Sequence, residues 1–369
     1  MLTRFEVTGF KNFEEKLTLD LTATNAYTFN ESCVSQGVIR KSLIYGQNGS
    51  GKSNLGYAIF DIIFHLTDKN ASSESYENYL FAGRKRAACF LYEFNIKGHA
   101  IRYTYEKTNH HTLKKESLFI DDICFASIDR SKSNIASIEF EGAETLERNL
   151  GDSKVSLLRY IRLNTVFKRN TINKIFVLFL GYVEQMLCFR SLQQNNYIGF
   201  IDGGTDIEDH LIDSGEVEGL ASFLTEAGIP TKLDVVENLD KKKLALNIKG
   251  NQIPFISSAS HGTLSLVLFY FWFSTVKSSG GASLIFIDEF DAFYCHELST
   301  LIVRKLIELD SQVILTTHNL SVMSNSLLRP DCYLVLQDNE IRSLANKTER
   351  ELRQAHNISK MYRAGAFNQ

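Results

Sequence analysis

Apolar positions along this chain recur with two periods, two residues and three to four, and the changes of period mark its elements. Residues 2–9 and 16–22 alternate; in the second run Leu17, Leu19 and Leu21 share one face and Lys16, Thr18 and Asp20 the other, which predicts a strand pair. Residues 40–45 read as a short strand. Leu55, Ile59, Ile62, Ile63 and Leu66 then fall at helical spacing and predict an amphipathic helix. Alternation resumes with Phe90, Tyr92, Phe94 and Ile96, turns at Lys97 and Gly98, and continues through Ile101, Tyr103 and Tyr105 to Leu118, Phe119 and Ile120. That pattern predicts a three-stranded antiparallel meander, with His110 and His111 at a solvated hairpin tip.

Residues 145–228 read as mostly helical, in runs 155–161, 172–192 and 214–228. Strands are predicted at 234–237 and 243–248, with Lys241, Lys242 and Lys243 forming a solvated turn between them. Beyond 253 strands and helices alternate. Ser283 to Ile287 is apolar after its first residue, as a parallel strand covered on both faces requires. Leu298, Leu301, Ile302, Leu306 and Leu309 mark a helix, 313–316 a second buried strand, and 333–337 with 341–344 a terminal hairpin. Strands near residue 40 and beyond 280 therefore belong to one α/β domain assembled from both ends of the chain. The expected division is 1–144, an inserted helical lobe at 145–228, and 229–369.

Composition narrows the class. The 369 residues include 44% hydrophobic and 22% charged positions, and the formal charge of −3 gives no global attraction to nucleic acid. Local basic clusters occur at Arg84, Lys85 and Arg86 and at 241–243. Six cysteines are scattered without a C-x-x-C pair, so neither a metal site nor a disulfide framework is expected. The longest apolar runs, 175–183 and 264–276, are shorter than the roughly 20 residues of a membrane span. The charged start of the chain lacks a leader's apolar run, and the expected location is the cytoplasm, with no membrane partner.

The chemistry concentrates at four places. Gly46, Gln47, Asn48, Gly49, Ser50, Gly51, Lys52 and Ser53 match G-x-x-x-x-G-K-[ST] in full, between a predicted strand and a predicted helix. Glycines let successive N–H groups curl around a phosphate, Lys52 reaches the β- and γ-phosphates, and the Ser53 hydroxyl suits Mg²⁺. Asn54 follows in the first helical turn. Asp288 and Glu289 end a buried strand; downstream of a phosphate loop this pair suits a magnesium ligand and the base that polarises the attacking water. His318 ends the next buried strand, at the sheet edge where ligands bind, and suits a bond to the γ-phosphate. Ser258 to Thr263 opens an apolar helix and reads either as its N-cap or as a donor cluster for another subunit's γ-phosphate.

In this order the elements resemble an ABC-type ATPase head, as in SMC proteins, recombination ATPases and the small prokaryotic ATPases similar to the "overcoming lysogenisation defect" family. The resemblance rests on the strand pair, the phosphate loop, Ser260 and Gly262 of the signature-like segment, Asp288 and Glu289, the Asp291 loop and His318. It implies a P-loop NTPase fold of the α/β class, with an antiparallel β subdomain and an inserted helical lobe. It further implies ATP and Mg²⁺ as cofactors, hydrolysis by Glu289 with Lys52 and His318, and metal held by Ser53 and Asp288. Asp291 is expected at a subunit contact. Two heads would sandwich ATP and control a partner nuclease or toxin, as in antiphage defence. Two departures stand out: His261 replaces a small residue, and no clear glutamine loop precedes the signature. A DNA-processing ATPase contacting DNA directly, and a slow nucleotide-dependent scaffold, remain as alternatives.

Overall fold

Five apolar strands running in one direction form the frame on which the phosphate loop is hung. A computed structural model describes the chain except residues 23–24, 68, 70–75, 82–85, 152, 191–195, 200–205, 239–240, 279 and 368–369. Its elements begin with β1 (Leu2–Thr8), β2 (Leu17–Asp20), β3 (Lys41–Tyr45) and α1 (Lys52–Leu66). Then come β4 (Ala88–Ile96), β5 (His99–Asn109), β6 (Thr112–Ile120), β7 (Ile123–Asp129) and β8 (Ser137–Ile138). The middle holds α2 (Leu157–Asn164), α3 (Thr171–Glu184), β9 (Leu187–Arg190), β10 (Asn196–Gly199), α4 (Ile207–Asp213) and α5 (Val217–Glu226). The last third holds β11 (Leu233–Asn238), β12 (Lys241–Ile248), β13 (Asn251–Pro254), α6 (His261–Ser278), β14 (Leu284–Asp288), α7 (His296–Glu308), β15 (Gln312–Thr317), β16 (Tyr333–Gln337) and β17 (Glu340–Ser343).

One sheet has the order β10-β9-β14-β15-β3-β16-β17, in which β9, β14, β15, β3 and β16 are parallel. Its strands β3, β14 and β15 are buried at every position, which is why their sequences lack alternation. The second sheet is antiparallel, in the order β8-β7-β6-β5-β4-β1-β2. Its inward positions are the alternating Phe90, Tyr92, Phe94, Tyr103 and Tyr105, all buried. The meander therefore extends past the three strands expected, and the N-terminal pair joins it through β1 and β4. The expected α/β class, with an antiparallel β component, is what the chain adopts.

Helix α1 lies between the two sheets. Towards the parallel sheet, Gly56 leaves room for Phe286: a Cβ there would come within 2.6 Å of the Phe286 ring. Towards the antiparallel sheet, the Tyr92 hydroxyl donates to the Ala58 carbonyl at 2.8 Å. Asp61, fully buried on that face, accepts from Lys107 Nζ at 2.7 Å, Tyr105 at 2.8 Å and Tyr79 at 3.0 Å. Burial alone would raise the Asp61 carboxyl, but the Lys107 ammonium, with His110 and His65 adding to it, holds the group well below the usual range. His110 belongs to this cluster. Instead of standing in solvent, its ring stacks on Tyr76 at 4.2 Å and lies 3.7 Å from Asp61, while His111 is exposed.

Lys41, at the start of β3, is also buried, and its ammonium donates to the carbonyls of Leu306, Leu309 and Ser311 at 2.6–2.8 Å. These carbonyls lie at the C-terminal end of α7, where a cation meets the negative end of the helix dipole. Burial and the neighbouring Arg40 pull its pKa down to about 7, against that favourable setting.

Two readings of pattern change. The helix expected over 172–192 stops at Glu184, and Leu187, Cys188 and Phe189 enter the parallel sheet beside β14. A short apolar run has no period that separates buried helix from buried strand, so tertiary pairing decided it. Lys241, Lys242 and Lys243 are the first residues of β12 rather than a turn. Glu208 receives Lys243 Nζ at 2.8 Å and the Leu244 N–H at 2.6 Å, which ties this strand to α4. Among the described residues no helix is long and apolar enough to cross a membrane.

Candidate functional site

The parallel register brings the chemistry to one edge. Tyr45 pairs with Thr317 and Ile287 with Leu315, so β3, β14 and β15 end together and release the phosphate loop, the acid pair and His318 there. Gly51 has φ +102° and forms the N-cap of α1. A Cβ on Gly51 would lie 2.5 Å from Asn12 Nδ2, and one on Gly46 would lie 2.5 Å from Ser50 Oγ and 2.9 Å from the Leu336 carbonyl. The loop leaves no space for side chains at these positions. Asn54 donates to Asn12 Oδ1 at 2.7 Å, fixing the first turn of the helix against the β1–β2 connection.

Lys52 is buried and donates to the loop's own carbonyls, Gly46 at 2.8 Å and Gln47 at 3.1 Å. Burial lowers its pKa, opposed by the nearby carboxylates of Glu289 and Asp288. Ser50 Oγ is buried with no hydrogen-bond partner among the described residues. An orphaned hydroxyl, a buried ammonium bonded to loop carbonyls and a helix N-terminus together fit a polyphosphate. Ser53, half-buried in the first turn, and Asp288 supply the oxygen donors that Mg²⁺ prefers.

Asp288 is buried at the end of β14, and Glu289 follows with φ +46°, a left-handed backbone at a non-glycine residue. Thr316 spans the pair. Its hydroxyl donates to Asp288 Oδ1 at 2.8 Å and accepts the Glu289 N–H at 2.8 Å. Thr317 donates to Asp291 at 2.8–2.9 Å and accepts the Asn319 N–H. Asp291, expected at a subunit contact, is thus buried and used internally, and burial raises its pKa. His318 is exposed directly after these two threonines.

Ser260 and Gly262 lie at the start of α6. Ser260 caps α6, accepting the Thr263 N–H at 3.2 Å and bonding the Thr263 hydroxyl at 2.9 Å, and is exposed. Gly262 is close to the Phe293 carbonyl, 3.9 Å from a Cβ built on it, and Ser265 bonds Tyr294 at 2.8 Å. The segment therefore abuts the loop after the acid pair, and no described hydrogen bond joins it to its own phosphate loop. His261 is exposed as the first residue of the helix. Residues 191–195, which follow β9 in the chain, lie outside the described residues, as do Arg84 and Lys85.

Sequence reasoning missed Asn12, Thr316 and Thr317. For the threonines the signal was present in two adjacent hydroxyls closing a fully buried strand immediately before His318. Asn12 gave none, because its place beside the loop depends on how the antiparallel sheet that carries β1 and β2 meets α1.

Residues 246–324 match the AAA_21 family model, described as "AAA domain, putative AbiEii toxin, Type IV TA system". No curated protein matches the sequence. Solved structures similar to this chain include the SMC head domain from Thermotoga maritima, at 12% identity over 93% of this chain and 97% of that one, with a TM-score of 0.43. The Smc head domain with an extended coiled coil bound to the C-terminal domain of ScpA, from Pyrococcus furiosus, aligns at 14% identity over 93% and 95% with a TM-score of 0.46.

Proposed function

We propose that this chain is an ATPase head of the AAA_21 kind, which binds ATP through residues 46–54 and hydrolyses it between two copies of itself. The observation that carries the reading is the parallel register that releases Lys52, Asp288 and Glu289 at one sheet edge. The loop N–H groups and Lys52 hold the phosphates, and Lys52 exchanges its carbonyl partners for phosphate oxygens. Ser53 and Asp288 would hold Mg²⁺, which when bound draws charge from the phosphate oxygens. Glu289 takes a proton from the attacking water, and His318 donates to the γ-phosphate.

Ser260 and Gly262 would complete the site of the opposing copy, since Ser260 is exposed, Gly262 is half-buried beside it, and no described hydrogen bond ties either to its own phosphate loop. The output of such a cycle is a change of shape, and a partner effector of the nuclease or toxin class, acting against phage, is proposed to receive it. The family description, which refers to a toxin system, supports that class. Direct DNA contact is the second reading: of the cluster at 241–243, Lys243 is paired with Glu208 while Lys241 and Lys242 are exposed.

The test compares two variants in ATP binding and phosphate release. Lys52→Ala is expected to lose tight ATP binding. Glu289→Gln is expected to retain ATP and stop turnover, because an amide cannot accept the proton. Wild-type hydrolysis by Glu289→Gln, or wild-type affinity in Lys52→Ala, would remove the assignment.

A further inference from the structure

We propose that Thr316 is the positioning residue of the acid pair, holding the catalytic carboxylate in its working conformation through its hydroxyl; the inference rests on the hydrolytic reading above. Every residue of β15 from Gln312 to Thr317 is buried, and Thr316 is fully so. Strand propensity and volume at such a place are met equally by valine, so neither explains a hydroxyl. A buried hydroxyl needs partners, and this one has two, both in the acid pair.

Three bonds run from Thr316 to three consecutive residues. Its hydroxyl donates to Asp288 Oδ1 and accepts the Glu289 N–H, each at 2.8 Å, and its carbonyl accepts the Phe290 N–H at 3.2 Å. Glu289 sits between these anchors at φ +46°. A left-handed non-glycine residue persists only where its surroundings over-determine it, and the two N–H bonds on either side of its Cα do so. The Cα conformation in turn fixes the direction in which the carboxylate leaves the backbone. The same hydroxyl occupies one oxygen of Asp288 and so sets which oxygen is left for a cation. Thr317 repeats the device one residue later through Asp291, which keeps the whole turn from 288 to 291 against the end of β15.

Thr316→Val keeps shape and removes the hydroxyl; Thr316→Ser keeps the hydroxyl and removes a methyl. In the full chain, ATP affinity is expected to stay at the wild-type value in both. Turnover is expected to fall by at least about tenfold in Thr316→Val, since a 1 Å misplacement costs about a hundredfold, and to recover in Thr316→Ser. The Mg²⁺ concentration for half-maximal turnover is expected to rise in Thr316→Val alone. Wild-type turnover in Thr316→Val overturns the proposal. So does an equal loss in Thr316→Ser, which would assign the effect to packing, or a loss of ATP binding or of folding in both. Glu289→Gln run beside them separates the two ideas: if it hydrolyses ATP normally the hydrolytic reading fails, whereas a dead Glu289→Gln with a normal Thr316→Val removes only the role of Thr316.

Discussion

Replacing Asp61 by Asn leaves the shape of the α1–β5 contact nearly unchanged and strands Lys107 in the core. The ion pair is 2.7 Å long, with side-chain exposures of 1% and 0%, so water cannot take over when the carboxylate is lost. Removing one member of a buried pair costs about 3–5 kcal/mol. Neutralising Lys107 instead, from a reference pKa near 10.4 to pH 7, costs about 4.6 kcal/mol, which sets a ceiling in the same range. That ceiling falls by about 1.4 kcal/mol per pH unit as pH rises, so the variant should lose less stability at pH 9 than at pH 7. In the wild type, the depressed Asp61 pKa contributes stability that is complete above the unfolded value near 3.9 and is lost as pH falls through the folded one. Urea unfolding followed by the single, buried Trp272 and by circular dichroism measures both effects. The double variant Asp61→Leu with Lys107→Met should cost less than the sum of its parts, because no buried charge remains. A loss under about 1 kcal/mol in Asp61→Asn, or no relief at pH 9, refutes the view that this pair anchors α1 as a charged unit.

Ser260→Arg should leave ATP binding by a single copy intact and abolish ATP-dependent dimerisation, since the exposed cap of α6 is where the opposing copy's site would close. Sedimentation with ATP decides it, and an unchanged dimer with normal hydrolysis places this segment outside the site. A nuclease or toxin encoded beside this chain should co-purify with it and be released differently by Glu289→Gln. If none does so in any nucleotide state, and the protein binds DNA with a steep salt slope, direct DNA processing replaces effector control.

Local physics made much of this protein legible from its sequence. Gly46, Gly51, Lys52 and Ser53 can be matched to a phosphate-loop pattern without a structure, because that pattern is made of residues that are neighbours in the chain. Leu284 to Ile287 and Val313 to Thr316 declare buried strands because a strand covered on both faces has no polar side to show. Asp288, Glu289 and His318 followed as the residues those strands release. What escaped is what depends on partners distant in sequence. Leu187 to Phe189 became a strand because a vacant edge lay beside β14, and the three lysines from 241 became one because Glu208 and β11 were there to meet them. The bond from Thr317 to Asp291 likewise joins residues 26 positions apart, so nothing beside Asp291 in the chain announced it. His110 looked solvated until Tyr76 and Asp61, from α1 and the segment after it, closed over it. The sequence determined which chemistry this chain carries. The tertiary structure alone decided how that chemistry is held, since Thr316 and Glu289, 27 positions apart, meet only when β14 and β15 pair.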